Sequence, residues 1–279
     1  MPESVVELRG ATLRYGARAL WERLDLRVGA AEFLAVLGPN GVGKTSLLRV
    51  LLGLTELSEG AVTVLGSPPR RGSPLVGYVP QQRAVDRSLP LRGRDFVRLG
   101  IDGHRWGFAR PSRALRAGVA GALAAVDAVP YGDAPLGLLY GGEQQRLRIA
   151  QAIASDPGLL LCDEPLLSLD LNYQRAVVDL LNALRERRDT AIVFVTHEIN
   201  PILNIVDRVL YLAPGSWAVG SPDEVLQSET LSRLYGTTVD VIRVRGRVIV
   251  VGAPDEPDTA LGQAGHAHGH AGDETEVGT

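Results

Sequence analysis

Short apolar runs separated by turn residues dominate the first eighty or so positions of the chain. The clearest are Val5-Val6-Glu7-Leu8, which stops at a break at Gly10, Leu24-Asp25-Leu26-Arg27-Val28, and Phe33-Leu34-Ala35-Val36-Leu37. Alternating runs predict half-buried strands, whereas a short run that is apolar throughout predicts a strand buried on both faces. Further strands are predicted at 61–65 and 76–82. This part of the chain is therefore expected to form β-structure.

A helical pattern replaces the strand pattern between about residues 83 and 156. Arginine and alanine recur there with helical spacing, as in Ser112 to Val129, and Asp156-Pro157 ends the segment. Because the segment begins and ends beside predicted strands, we interpret it as a helical insertion and not as a separate domain. Apolar strands return at 159–163 and 191–195, with an amphipathic helix between them for which Asp170 is the predicted N-cap.

The remaining chain contains two more strands, a helix and a hairpin. The strands are predicted at 208–212 and 216–219, and the helix runs from the capping box Ser221-Pro222-Asp223-Glu224 to about Tyr235. Alternation from about 237 to 252 predicts a hairpin that turns at Gly246. Residues 1–253 are thus expected to form one domain, and the composition of 254–279 predicts a disordered tail.

Composition narrows the class of protein. Of the 279 residues, 45% are hydrophobic and 22% are charged, as in soluble globular proteins, and the formal net charge of −3 disfavours nucleic acid as a partner. A single cysteine, Cys162, excludes an intrachain disulfide framework. No apolar run approaches the ~18 residues of a membrane-spanning helix, and the start of the chain lacks the features of a signal peptide. The chain is not expected to cross a membrane alone.

One loop carries the strongest chemical signal. Gly38-Pro39-Asn40-Gly41-Val42-Gly43-Lys44-Thr45-Ser46 fits the pattern G-x-x-x-x-G-K-[ST] and stands between a predicted strand and a predicted helix. In such a loop backbone N–H groups surround phosphates, the lysine reaches the outer phosphates, and the hydroxyl binds Mg²⁺. Lys44 is also the only lysine among 29 basic residues. A compact ammonium at this position suits a phosphate site.

Polar side chains follow three other predicted strands. Asp163 and Glu164 end one strand, His197 follows another, and Gln81 follows a third. Adjacent carboxylates at a strand end are difficult to explain as core packing, because burying unpaired charge is costly. In phosphate-loop enzymes the first of such acids binds Mg²⁺ and the second polarises water. Taken alone, Gln81 is a polar loop residue, and His197 is either a turn residue or a sensor of the terminal phosphate.

Three further features each leave two interpretations open. Tyr15, beside a turn, either packs in a hairpin or stacks on a nucleotide base. Gly141-Gly142 opens a helix and is either a plain turn or an anion site. The cluster His266-Ala267-His268-Gly269-His270 in the tail either binds a metal ion or is incidental to an alanine- and glycine-rich segment.

The order of these motifs over residues 5 to 250 resembles that of the ATP-binding subunits of ABC transporters. The resemblance implies an α/β fold: a P-loop NTPase (RecA-like) core with an antiparallel β subdomain and a helical ABC-specific subdomain. It implies that Tyr15 stacks on adenine and that Gly38 to Ser46 bind the phosphates of ATP. It further implies that Thr45, Gln81 and Asp163 bind the Mg²⁺ of Mg·ATP. Glu164 is then the catalytic base, and Lys44, Gln81 and His197 complete the catalytic group.

The family signature, usually Leu-Ser-Gly-Gly-Gln, corresponds to Leu139-Tyr140-Gly141-Gly142-Glu143. In the family this segment of one subunit completes the ATP site of a second copy, which implies a head-to-tail dimer in which Tyr140 to Glu143 and Asp170 of the D-loop contact nucleotide. The sequence departs from the pattern at Tyr140 and Glu143. Because a phenol is much larger than the usual serine side chain, we expect closure and hydrolysis to be slowed but not abolished, since the glycines and the helix N-terminus remain.

The segment from Thr196 to residue 252, notably Leu231-Ser232-Arg233-Leu234-Tyr235-Gly236, resembles the zinc and manganese importer branch of this family. That resemblance implies uptake of a divalent metal ion at the cytoplasmic face of a bacterial-type cell membrane. It also implies a polytopic membrane permease and a separate metal-capturing protein as partners, with no nucleic acid. The transported metal would not touch the ATP site, so no residue of this chain identifies it.

Other functions remain possible on the same motifs. One alternative is a nucleotide-gated subunit whose hydrolysis is impaired by Tyr140, and another is an ABC ATPase for a different substrate such as an iron chelate. A DNA-associated or ribosome-associated ABC ATPase is disfavoured by the single cassette, by the lack of long coiled-coil heptads and by the near-neutral charge.

Overall fold

The computed structural model describes residues 4–81, 86, 90–103, 112–167 and 169–252. The predicted tail at 254–279, with its histidines, lies outside these residues, as do parts of the predicted helical insertion and Ser168. Within the described residues, no helix has the length and apolarity needed to cross a bilayer.

A six-stranded sheet forms the centre of the structure. Its strands are β3 (Phe33–Leu37), β5 (Val76–Val79), β6 (Leu159–Asp163), β7 (Ala191–Val195), β8 (Arg208–Ala213) and β9 (Ser216–Gly220). They lie in the order β5-β6-β7-β3-β8-β9, in which the first five strands are parallel and β9 is antiparallel to β8. Every residue of β3, β6 and β7 is buried, which explains why these strands have no polar face.

Alternate residues of the central strands pack into two separate apolar clusters. Phe33 and Phe194 face one cluster, with ring centroids 5.5 Å apart, whereas Leu34 and Val193 face the other. The first cluster packs against helices, and the second packs against the smaller sheet and the first helix. Covering both faces of the sheet leaves its carboxyl edge as the place where polar side chains emerge.

A smaller antiparallel sheet has the order β2-β1-β4, formed by β1 (Val6–Tyr15), β2 (Arg18–Val28) and β4 (Glu59–Val64). The sequence predicted a break at Gly10, and this was wrong because β1 continues through it. Gly10 has a φ of 55°, and the register between β1 and β2 shifts from Leu8 to Ala11. Gly10 thus lies in a β-bulge, and the strand continues beyond it.

Helices account for most of the remaining regular structure. Helix α1 (Lys44–Leu51) follows β3 directly, and α2 (Gly93–Asp102), α3 (Arg113–Ala125) and α4 (Gly141–Ile153) lie between β5 and β6. Helix α5 (Leu171–Arg188) connects β6 to β7 and begins at Asp170, whose carboxylate accepts hydrogen bonds from the backbone of Asn172 and Tyr173, both at 3.0 Å. The mixed α/β fold with a phosphate-loop core confirms the predicted class.

The helix predicted from Ser221 to Tyr235 is instead two helices, α6 (Pro222–Val225) and α7 (Ser228–Tyr235). The break falls at Leu226, which is 1% exposed, and at Gln227, which is extended. In one continuous helix Leu226 and Leu231 would lie about 140° apart around the axis. The break allows both to pack into the same apolar cluster.

The chain then forms a two-stranded hairpin of β10 (Asp240–Val244) and β11 (Arg247–Val251). Its turn contains Arg245 and Gly246, with φ of 48° and 76°, a conformation that suits a hairpin whose strands twist to the right.

Candidate functional site

A cavity of about 1110 Å³ opens at the carboxyl edge of the central sheet. It lies where β3, β6 and β7 end, so the residues that follow these strands meet there although they are far apart in sequence. The candidate residues that line it are Tyr15, Gly38, Pro39, Asn40, Gly41, Gly43, Lys44, Thr45, Ser46, Gln81, Glu164 and His197.

The loop between β3 and α1 can adopt its path only with glycine at two positions. Gly38 has a φ of 137°, and a Cβ there would lie 2.1 Å from the carbonyl oxygen of Leu212 on β8. Gly43 has a φ of 101° and is packed against Leu20 and Trp21. Val42, which the sequence placed among the nucleotide-binding residues, has its side chain buried in the apolar cluster below the loop. Only its backbone is therefore available to a ligand.

Lys44 lies at the centre of this loop. Its Nζ donates hydrogen bonds to the carbonyl oxygens of Gly38 at 2.7 Å and Pro39 at 2.9 Å, and the residue is 6% exposed. Burial lowers the pKa of the ammonium, and the negative charges of Glu164 and Asp163 oppose that shift. The two loop carbonyls thus hold the amine where it faces the cavity.

Thr45 and Asp163 come together although they are 118 positions apart. Thr45 Oγ1 donates to Asp163 Oδ1 at 3.2 Å, and Tyr78 OH lies 3.5 Å from Asp163 Oδ2. Burial raises the pKa of the Asp163 carboxyl, and the hydrogen bond from Thr45 lowers it in part. Bringing a cation to this carboxylate would relieve the cost of burying its charge.

Glu164 is flanked by two of the three other candidate catalytic residues. Gln81 Nε2 donates to Glu164 Oε2 at 3.1 Å, and His197 Nδ1 lies 3.7 Å from Glu164 Oε1. Glu164 itself has a φ of 46°, and its N–H donates to the carbonyl of Val195 at 3.0 Å. This left-handed turn directs the side chain that follows Asp163 out of the sheet and into the cavity.

The remaining candidate residues lie outside this cavity. Tyr140, Gly141, Gly142 and Glu143 are at the start of α4, and Asp170 is at the start of α5; none of them lines the cavity. The Glu143 carboxylate accepts a hydrogen bond from the Tyr140 N–H at 2.9 Å, and Tyr140 is 79% exposed. The Tyr140 ring thus projects into solvent at a helix N-terminus.

Sequence reasoning missed several residues that contact the site. Arg18 Nη2 donates to the carbonyl of Gly41 at 3.2 Å, and Asn200 with Val248 closes the far side of the cavity. Tyr78 lies in a strand that the sequence predicted, and alternation along that strand gives the face on which its side chain lies. It does not show that the hydroxyl reaches Asp163 on the neighbouring strand. Asn200 and Val248 had no signal in the sequence, because their meeting depends on where the last hairpin docks.

The donors present fit a nucleotide with its metal. Backbone N–H groups at the α1 N-terminus and the Lys44 ammonium suit phosphates, and the half-exposed ring of Tyr15 stands at the cavity edge where a base could stack. The Thr45 hydroxyl, the Asp163 carboxylate and the Gln81 amide are oxygen donors of the kind that Mg²⁺ prefers.

Comparison with known proteins identifies the family. The family model described as ABC transporter matches residues 21–167. The zinc import ATP-binding protein ZnuC of Magnetococcus marinus is 35% identical over 84% of this chain and 84% of its own length. The zinc transport system ATP-binding protein TroB of Treponema pallidum is 34% identical over 83% of this chain and 86% of its own.

A solved structure supports the same assignment. An ABC transporter in an inward-facing conformation, described as of the metal-chelate type, superposes with a TM-score of 0.75 and 27% identity, covering 88% of this chain and 96% of that one. Together with the relatives and the loop geometry, this shows that the chain belongs to the ABC transporter family, as an ATP-binding subunit of the branch that contains the zinc importers and as an ATPase coupled to transport.

Proposed function

We propose that this chain hydrolyses ATP to power uptake of a divalent metal ion, zinc or manganese, through a membrane permease. The observation that carries the hydrolytic part is the position of Glu164 between Gln81 and His197, facing the loop that holds Lys44. A carboxylate at this position in the cavity could accept the proton of a water that attacks the outermost phosphate.

Each of the other residues has a part in this proposal. Lys44 and the backbone N–H groups of the loop neutralise charge on the phosphates, and His197 stabilises the transferring phosphoryl group. Thr45, Asp163 and Gln81 would hold Mg²⁺, which would act as a Lewis acid and neutralise phosphate charge. Tyr15 stacks on the base.

The exposed start of α4 supports a head-to-tail dimer as part of the proposal. Tyr140 and Gly141 are exposed at this helix N-terminus and do not line the cavity of their own chain, whereas Gly142 behind them is buried. A second copy would bring this N-terminus to the phosphates from the other side, where it favours negative charge. The proposal also includes a membrane permease, a separate metal-capturing protein and a position at the cytoplasmic face of the membrane, which similarity to zinc import ATP-binding proteins supports, and it includes no nucleic acid.

The Glu164→Gln variant tests the hydrolytic role. The amide keeps the size of the side chain but cannot accept a proton, so turnover is expected to fall by at least about 10²-fold while ATP binding persists. Release of inorganic phosphate and equilibrium binding of a fluorescent ATP analogue measure the two quantities. Turnover retained in the variant would mean that another group is the base.

The transported substrate needs a separate experiment. Vesicles containing the chain with its permease and binding protein should accumulate Zn²⁺ or Mn²⁺ when ATP is supplied, and the same vesicles with Glu164→Gln should not. An iron chelate serves as the third substrate, because the metal-chelate type transporter also resembles this chain. Uptake of the chelate without uptake of either free ion would overturn the metal-ion proposal and leave the ATPase intact.

A further inference from the structure

The side chain of Asn200 binds both backbone groups of one hairpin residue. Asn200 Nδ2 donates to the carbonyl of Val248 at 2.9 Å, and Asn200 Oδ1 accepts from the N–H of Val248 at 2.8 Å. A side-chain amide has a donor and an acceptor side by side, so it pairs with Val248 much as a neighbouring strand would. Because Val248 is 4% exposed, both backbone groups depend on this partner.

Asn200 also ends the loop that carries His197. The loop begins at Thr196, whose N–H donates to the carbonyl of Val36 on β3 at 3.1 Å and whose Oγ1 bonds both the N–H and the carbonyl of Glu198. The segment is therefore attached to the central sheet at Thr196, to the apolar cluster at Ile199 and to the hairpin at Asn200. The His197 side chain lies between these attachments and is 55% exposed, so little packing holds the imidazole itself.

The hairpin region packs Val239 and Val248 into the apolar cluster, and several polar attachments add to this packing. Ser232 Oγ on α7 accepts from the N–H of Val239 at 2.9 Å and donates to its carbonyl at 3.1 Å. Ser228 Oγ accepts from the N–H of Val241 at 2.8 Å. Because Ile242 and Ile249 remain about half exposed, the outer face of the hairpin contributes little burial. The two bonds to Asn200 connect the hairpin to the loop that carries His197.

The hairpin also forms a wall of the nucleotide cavity. Val248 and Val250 line the same cavity as Glu164 and His197. We propose that Asn200 is a positioning residue for ATP hydrolysis. By hydrogen bonding to both backbone groups of Val248 in the hairpin, it holds the loop that places the His197 imidazole beside Glu164. This inference rests on the proposed hydrolytic function, and it makes the last hairpin part of the catalytic apparatus.

The Asn200→Ala variant is the direct test. It removes both bonds to Val248 without touching the phosphate loop, so kcat for ATP hydrolysis should fall by about 10-fold, as expected for a misplaced catalytic group, with the affinity for ATP unchanged. Ser232→Ala is the matched control, since it removes two bonds to the hairpin at the α7 side and none to the His197 loop. Its kcat should stay close to that of the native chain.

Repeating the substitution in a His197→Ala background distinguishes positioning from a general structural role. If Asn200 acts through His197, the loss of kcat caused by Asn200→Ala disappears when His197 is already absent. The NMR resonance of the His197 imidazole in the full chain, assigned by its loss in His197→Ala, gives a second readout for variants whose turnover is too low to measure. That resonance should shift in Asn200→Ala and not in Ser232→Ala.

The outcomes separate this inference from the proposed function. An unchanged kcat in Asn200→Ala, an equal loss in Ser232→Ala, an equal loss with and without His197, or an unmoved resonance would each overturn the positioning role. Those results leave hydrolysis by Glu164 standing, provided that Glu164→Gln remains inactive. Turnover retained in Glu164→Gln would instead overturn the role of Glu164 as the base, on which this inference rests.

Discussion

The ring of Tyr173 lies directly against the backbone of Gly142, so that a Cβ added at residue 142 would be 2.4 Å from Tyr173 Cδ1 and 2.8 Å from Cγ. Gly142 is in the first turn of α4, and Tyr173 is in the first turn of α5. The helix that carries the signature glycines therefore contacts the helix that begins at Asp170 in the same chain. A displacement of the first turn of α4 toward α5 would therefore displace the first turn of α5 as well.

We expect Gly142→Ala to be destabilising for this reason. Because Cγ is close to the Tyr173 backbone, the ring cannot avoid the new methyl group by moving its far end alone. Overpacking of this kind costs about 1–3 kcal/mol of the free energy of unfolding, and urea denaturation measures that loss. Adding Tyr173→Ala to Gly142→Ala should recover most of it.

Gly121 provides the control for this experiment. It lies within α3, and a Cβ at that position would meet nothing within 4 Å. Gly121→Ala should therefore stabilise the chain by about 0.5–1 kcal/mol through helix propensity. Equal changes in the free energy of unfolding for Gly121→Ala and Gly142→Ala would contradict the contact between Gly142 and Tyr173.

Replacing Tyr140 by serine should increase the rate of ATP hydrolysis. Tyr140 is the N-cap of α4 and its ring is exposed, so the substitution removes bulk from the surface that we assign to the dimer. Serine is a better N-cap, and it restores the small hydroxyl that is usual in the family. Steady-state phosphate release, measured over a range of chain concentrations, gives the rate.

Tyr140→Phe serves as the comparison because it keeps the bulk and removes the hydroxyl. A rate that rises in the serine variant and not in the phenylalanine variant shows that losing the phenol hydroxyl alone does not relieve the inhibition. A serine variant as slow as the native chain would show that Tyr140 does not limit hydrolysis.

Asp163→Asn should make the nucleotide-free and metal-free chain more stable at neutral pH. Burial raises the pKa of Asp163 in the folded state, so the folded chain retains a proton that the unfolded chain has already lost. Stability therefore decreases as pH rises from the ordinary carboxyl pKa through the folded pKa, and it stays lower above that window. Asparagine has no charge to bury, and its Oδ1 still accepts from Thr45.

Urea denaturation of both proteins at a series of pH values tests this expectation. The two curves should meet at low pH, where Asp163 is protonated in both states, and should separate as pH rises. A native chain as stable as the variant at neutral pH would show that the buried carboxylate carries no penalty. The same variant is expected to lose Mg²⁺-dependent hydrolysis.

The sequence predicted those parts of the molecule that depend on local pattern. Apolar runs such as Phe33 to Leu37 specify strands buried on both faces, and the polar residue that follows each run then emerges at one edge of a parallel sheet. The resemblance to ABC transporter subunits then implied that Lys44, Glu164 and His197 act together, and the structure places all three in the lining of one cavity. Their detailed roles stay predictions.

The parts that could not be predicted depend on contacts between distant segments. Gly10 suggested a strand end because a glycine alone does not distinguish a bulge from a turn. The capping box at Ser221 correctly marked a helix start, but the break at Leu226 follows from the apolar surface beneath it. Likewise, nothing near Asn200 in the sequence points to Val248, since their pairing requires the docked hairpin.

The status of Lys44 as the sole lysine has a practical consequence for chemical labelling. A reagent that acylates side-chain amines has one target in the 279 residues, and that target lies in the phosphate loop. Because burial lowers the pKa of this amine, more of it is in the nucleophilic neutral form than for an ordinary surface lysine. The peptide that contains Lys44 is therefore the place to find a side-chain adduct, and its protection by ATP would report nucleotide occupancy at a single residue.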